Sequence, residues 1–116
     1  MLNMFAVIYQ FKLKPHHEVV YQTYWNKLVD YFIQKRGAIG SCLHKGENGL
    51  WVAYSRWPDK TTRDASWPGE NALSEELPDD IRDIIQKMQA LKVENHDLEQ
   101  YDEICLDVVE DKLIQK

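Results

Sequence analysis

The sequence predicts a ferredoxin-like α+β fold, a βαββαβ sandwich with elements in the order strand, helix, strand, strand, helix, strand. Apolar residues alternate in the strand segments and recur at helical spacing in the helix segments. An Asn-Gly pair, a strong hairpin signal, separates the two middle strands. The 116 residues fit a single domain over 1–116, with a core at about 4–110 and a polar C-terminal tail.

The first strand is predicted over residues 4–14 and the first helix after it. Both faces of the strand are apolar in its first half, which indicates an inner position in the sheet. Pro15 is expected to open the helix, because its missing N–H would have no partner in a first turn. The helix is expected to reach about Arg36 and to end at Gly37. Its apolar stripe has a period of four: Val20, Tyr24, Leu28 and Phe32.

The next two strands, residues 38–45 and 50–57, form a hairpin through the loop 46–49. If this loop has an even number of residues, His44 pairs with Trp51 or, in the tighter register, with Ala53. Both registers give the same two faces. One is expected to carry Cys42, His44, Trp51, Ala53, Ser55 and Trp57, and the other Leu43, Leu50, Val52, Tyr54 and Arg56.

A short helix is predicted from Pro58-Asp59 to about Ser66, where Trp67-Pro68-Gly69 breaks it. A second long helix begins at 77–80, with one apolar face, and residues 98–109 form the last strand. Right-handed crossovers then give the strand order 4-1-3-2, with the helices on one side of the sheet. In that order Cys42 and Cys105 lie on opposite edges, too far apart for a disulfide. The sheet face without helices is apolar, so a second copy is expected to cover it in a homodimer.

Composition and motifs exclude several classes. The net charge of −5 argues against nucleic acid as the main partner. Apolar stretches are too short to span a membrane, the N-terminus lacks the pattern of a secretory signal, and two cysteines favour the cytoplasm. No metal or cofactor is expected, since metal-ligand motifs and a glycine-rich phosphate loop are lacking, and the adjacent His16 and His17 would point apart on a helix.

Charge is unevenly distributed along the chain. Residues 1–63 carry nine Lys/Arg and four Asp/Glu, a balance of +5, whereas residues 64–116 carry five and fifteen, a balance of −10. The acidic half is typical of a solvated surface. The alternative is that the two halves attract one another across a subunit interface.

Several segments together resemble the antibiotic biosynthesis monooxygenase family of dimeric α/β-barrel proteins, over roughly residues 4–110. They are MFAVIYQFKLKP, RGAIGSCLH, LPDDIRDIIQKM and, as the most specific, WVAYSRWPDKTTRDA, in which a strand ends in tryptophan and turns directly into a short helix. The resemblance implies a cofactor-free monooxygenase acting on a small aromatic or quinone-like compound. Trp57 matches the pocket tryptophan of quinone-forming members. Ala53 and Arg63 stand where those members carry asparagine and tyrosine, and their histidine would fall near Leu43, one place from His44.

Four side chains are the candidate site residues. His44 could be the general base that converts a bound phenol to phenolate, or simply a polar residue near a hairpin end. Trp51 and Trp57 could wall a substrate pocket, or pack in the core. Arg63 could bind an anionic group of the substrate, whereas Arg56 is expected to form a salt bridge between subunits. The rival function is a non-catalytic dimeric protein on the same fold that binds a small ligand or acts under stress; the missing asparagine and tyrosine favour it, and the aromatic content favours the enzyme.

Overall fold

The fold was analysed in a computed structural model, which describes residues 4–66, 77–93 and 103–113. Its elements are β1 (Phe5–Lys12), α1 (Glu18–Lys35), β2 (Gly40–Lys45), β3 (Leu50–Trp57), α2 (Lys60–Ser66), α3 (Asp79–Leu91) and β4 (Ile104–Asp107). The antiparallel sheet has the order β2-β3-β1-β4. The predicted fold class and the 4-1-3-2 strand order are therefore confirmed.

Helix α1 begins later than predicted. Pro15 lies in a turn before the helix, and His16 takes a left-handed conformation with φ 67°. The helix therefore starts only at Glu18. Its C-terminal end is as predicted, because Gly37 adopts φ +83° and lets the Ala38 N–H turn back to the Phe32 carbonyl at 3.1 Å.

One face of the sheet, here called the helix face, packs against α1 and α3. β1 supplies Phe5, Val7 and Phe11 to this face, and the paired strand β3 supplies Trp51 and Trp57. The helices add buried side chains to the same core: Tyr21, Phe32, Ile81, Ile85 and Met88. This apolar layer stabilises the fold, because it removes these side chains from water.

The predicted hairpin register is wrong by one residue. His44 pairs with Val52 and Lys45 with Trp51, so five residues, 46–50, separate the last paired positions. This odd number is possible because Asn48 (φ 60°) and Gly49 (φ 78°) are both left-handed and the Gly46 N–H closes the loop on the Leu50 carbonyl at 2.6 Å. A shift of one residue moves every side chain of a strand to the other face.

The shift changes the predicted faces of β2. Leu43 lies on the helix face, half-buried against the core, and not on the uncovered face. Cys42 and His44 lie on the uncovered face, here called the open face, and are exposed. β3 keeps its predicted division, with Val52 and Tyr54 on the open face.

The C-terminal segment covers one end of the open face. Val108 donates its N–H to the Met4 carbonyl at 2.9 Å. The Arg56 guanidinium forms an ion pair with Asp111 at 2.6 Å and donates to the Tyr54 hydroxyl at 2.9 Å. Arg56 thus pairs within its own chain, and the expected salt bridge between subunits stays a prediction. Because Asp111 is itself only 19 % exposed in its side chain, this part of the acidic tail is packed rather than solvated.

The remaining predictions concern the later helices, the last strand and the two cysteines. Helices α2 and α3 and the strand at 104–107 are present, whereas the break at 67–69 and the strand residues 98–102 lie outside the described residues. The Cys42 and Cys105 thiols are free and lie on opposite edge strands. Within the three described ranges, no helix is both long and apolar enough to cross a bilayer.

Candidate functional site

A cavity of about 130 Å³ lies between the helix face of the sheet and helices α1 and α3. Six of its lining side chains are aromatic, and they come from β1, α1 and the end of β3: Tyr9, Phe11, Tyr21, Trp25, Phe32 and Trp57. Leu28, Val29 and Met88 add aliphatic surface. Such a concave, apolar and largely preformed space is typical of a small-molecule site.

Small side chains on β2 and β3 create this space. Ser41, Ala53 and Ser55 line the cavity on the helix face, where other positions of the sheet carry large aromatic residues. The Ser41 and Ser55 hydroxyls are 2.8 Å apart and bond to each other, so each has a partner without a ligand. Protein interiors are close-packed, and three adjacent small residues on one sheet face therefore leave a gap beneath the helices.

Trp57 lines the cavity with part of its ring. The side chain is 5 % exposed, and its ring lies edge-on to Phe32 with the centroids 6.2 Å apart. The indole Nε1 is buried and has no hydrogen-bond partner among the described residues. A buried N–H without a partner loses hydration without compensation.

Trp51 is buried but does not line the cavity. It packs with Phe11, Tyr21 and Met88 in the core, and the Lys45 ammonium lies over its ring at 5.9 Å. Of the two alternatives for this residue, the geometry corresponds to core packing.

Arg63 lies beside the cavity rather than in its wall. From α2 it donates through Nη2 to the Glu103 carboxylate at 2.5 Å and to the Tyr9 hydroxyl at 3.2 Å. Burial opposes the charge of Arg63, but the hydrogen bonds to Glu103 and Tyr9 outweigh it, and the net pKa of Arg63 is raised. Burial also raises the pKa of Tyr9, although the Arg63 guanidinium acts in the opposite direction. Arg63 therefore holds a cavity residue in place.

His44 is outside the cavity. It lies on the open face, opposite Val52, and its Nδ1 is 3.1 Å from the Val52 carbonyl oxygen. The expectation that His44 shares a face with Trp51 and Trp57 is wrong because the hairpin loop is odd-numbered. In this chain no imidazole of the described residues lines the cavity.

Sequence reasoning missed Lys92, which does line the cavity. Lys92 follows the last turn of α3, and its ammonium lies 4.8 Å from the centroid of the Phe11 ring. Burial lowers the pKa of its amine below the ordinary value. A lysine at the end of an amphipathic helix normally interacts with the helix dipole, so the sequence offered no signal that this one points inward.

No sequence profile of a known family matches the chain, and no curated protein matches it either. Solved structures do match. A Caulobacter crescentus protein named as an antibiotic biosynthesis monooxygenase is 12% identical, with a TM-score of 0.69 over 94% of this chain and 92% of that one. SnoaB, a cofactor-independent oxygenase from Streptomyces nogalater, is 10% identical, with a TM-score of 0.65 over 97% and 99%. A conserved protein from Methanosarcina mazei is 10% identical, with a TM-score of 0.66 over 90% and 92%. At these identities the likeness shows a shared fold, and it confirms the fold that the family resemblance implied.

Proposed function

We propose that the protein binds a small aromatic compound in the cavity between sheet and helices and oxygenates it without a cofactor. The substrate class is a phenol or a quinone-like ring. The observation that carries this proposal is the cavity itself, whose wall includes the aromatic ring of Trp57. The fold shared with a cofactor-independent oxygenase supports it.

The size of the cavity limits the substrate. An engineered apolar cavity of about 150 Å³ holds one benzene molecule, and this cavity has about 130 Å³. This volume corresponds to about one aromatic ring, and a polycyclic compound would exceed it. We therefore place the substrate among the single-ring aromatics.

The chemistry needs no group beyond the substrate and dioxygen. A phenol with a free ring position gives a quinone and one water: the oxygen molecule supplies one atom to the ring and one to water, and the ring supplies the electrons. The phenolate form donates electrons more readily than the neutral phenol. An enzyme of this kind must therefore stabilise the anion in a site that excludes water.

A non-catalytic binding protein is the second candidate function. The position of His44 favours it, since the expected base lies on the opposite face of the sheet. Such a protein would bind the same single-ring ligands in the same cavity, but it would consume no oxygen in their presence.

We also propose a homodimer through the open face. Val52 and Tyr54 are only half-buried there, and Ile104 and Leu106 are 41% and 40% exposed at the edge strand. Pairing this face with itself across a two-fold axis would bury the apolar surface of both chains.

The two free thiols support a reducing, cytoplasmic location.

The experiment combines ligand binding with oxygen consumption on a panel of phenols and hydroquinones. Ala53→Val adds two methyl groups to the cavity floor, so binding should weaken by about tenfold or more while the fold is retained. Ala90→Val, on the exposed side of α3, is the matched control and should bind as the wild type does. Binding with oxygen uptake supports the oxygenase, and binding without it supports the second candidate. If no panel member binds, both are wrong.

A further inference from the structure

Lys92 is held in place by the backbone on both sides of it. The Lys14 N–H donates to the Leu91 carbonyl at 2.9 Å, and the Val93 N–H donates to the Lys12 carbonyl at 2.8 Å. These bonds fix the end of α3 to the end of β1, where Phe11 faces the cavity. The direction of the Lys92 side chain is therefore set by the fold and not by a flexible terminus.

Two other lysines that lie over aromatic rings have acidic partners. Lys87 on the same helix pairs with Asp83 at 2.9 Å, and Lys45 pairs with Glu18 at 2.9 Å. Within residues 4–66, 77–93 and 103–113, no carboxylate forms an ion pair with Lys92, whose contact is the face of the Phe11 ring. An aromatic ring compensates a desolvated ammonium only partly.

Among the described residues, Lys92 is the charged side chain of the cavity wall. The titratable side chains that line it are Tyr9 from β1, Tyr21 from α1 and Lys92. Burial raises the pKa of both tyrosines, so they stay neutral hydroxyls around neutral pH. Lys92 is thus the group of the described wall that can carry charge toward a ligand.

We propose that Lys92 is the anion-binding group of this cavity and that the ligand is a single-ring aromatic compound with an acidic hydroxyl, bound as its phenolate. This inference rests on the proposed aromatic site and names the ligand class that the site prefers. The neutral amine takes the hydroxyl proton, giving an ammonium–phenolate pair, and the charged amine selects phenolate directly from water. Both routes give the same pair, an ammonium with three protons on nitrogen and a ring oxygen without its proton. That pair supplies the anion that the proposed oxygenation requires.

The test uses two probes that differ in one acidic group. 4-Nitrophenol forms a coloured phenolate, and nitrobenzene has a similar ring but no proton to lose. A charge-assisted hydrogen bond of the usual strength should make the wild type bind 4-nitrophenol about 10–100-fold more tightly than nitrobenzene. The bound probe should also show the phenolate absorption at a pH where the free probe is mostly neutral.

Lys92→Met keeps the length of the side chain and removes the charge. This variant should bind the two probes about equally and should lose the phenolate absorption, while nitrobenzene binding changes little. Its thermal stability should not fall, because the cost of burying an ammonium is also removed; a purely structural lysine would predict a fall. Lys87→Met, on the exposed side of the same helix, is the matched control and should keep the preference for 4-nitrophenol.

The outcomes separate this inference from the proposed function. If the wild type binds both probes equally, or if the bound probe shows the spectrum of the neutral phenol, the assignment of Lys92 is wrong while the aromatic site stands. A preference for 4-nitrophenol that persists in Lys92→Met would also show that the assignment of Lys92 is wrong. If neither probe binds, the aromatic site is wrong and the role of Lys92 fails with it.

Discussion

The two faces of the sheet come from the same strands but differ in burial at most positions, although Ala6 and Arg56 on the open face are buried too. On the helix face, Phe5, Val7 and Trp57 are between 0% and 5% exposed. On the open face, their neighbours Ile8 and Val52 remain half-exposed, although they are just as apolar. The difference shows that alternation sorts side chains into two sets, whereas burial of each set depends on what packs over it.

Two buried arginines form ion pairs, one on the open face and one beside the helix face. Arg56 pairs with Asp111 on the open face, and Arg63 pairs with Glu103 beside the helix face. Each joins the basic first half of the chain to the acidic second half. Both ion pairs lie within one chain, so the predicted attraction of the two halves across a subunit interface stays a prediction.

The largest expected effect is dissociation of the proposed dimer by a substitution on the open face. Val52→Asp places a carboxylate in the proposed dimer interface twice, at a cost of several kcal/mol for each copy. The dissociation constant should rise by more than about 1000-fold, and sedimentation should give the 13.7 kDa monomer. Val19→Asp, on a residue that is 77% exposed on α1, should leave the dimer intact. A wild type that already sediments as a monomer at micromolar concentration would contradict the interface.

The second prediction compares two positions of β1. Phe5→Ala on the helix face should lower the free energy of unfolding by about 3–5 kcal/mol, the usual cost of removing a buried aromatic ring. Ile8→Ala on the open face should cost about 1 kcal/mol or less in the single chain. Urea unfolding in the Val52→Asp background measures the single chain alone. Equal losses at both positions would mean that the two faces are equally covered.

The smallest effect concerns α2, which carries Arg63 toward the helix face. The Thr62 N–H donates to the Asp59 carboxylate at 2.7 Å, and this bond lowers the pKa of Asp59 below its ordinary value of 3.8. A lowered pKa adds stability that is present above the ordinary value and is lost as the pH falls through the lowered one. Asp59→Asn keeps an acceptor that does not titrate, so it should be slightly less stable than the wild type at neutral pH and equally stable in strong acid. A difference that does not depend on pH in urea unfolding would contradict the charge effect.

Local pattern predicted most of the fold. The alternation in β1, the apolar stripe of α1 and the Asp-rich start of α3 each follow from one segment, so element type and strand order could be predicted. The start of α1 was predicted too early because Pro15 serves equally well in a turn. The face of β3 that carries Trp57 was predicted correctly, because alternation along one strand does not depend on the hairpin loop.

The candidate site was harder to predict, since it depends on how segments meet. One extra residue in the loop 46–50 moved His44 from the expected pocket to the open face. The inward position of Lys92 depends on the contact of α3 with the end of β1, two segments about 80 residues apart in the chain.

The sequence by itself determined the type and order of the elements and the aromatic character of the core, because hydrophobic period and turn chemistry act within a few residues. Only the tertiary structure decided which polar groups reach the cavity. Loop parity, helix docking and the covering of each face are set by packing between distant segments, and a shift of one residue there reverses which side chains a ligand would meet.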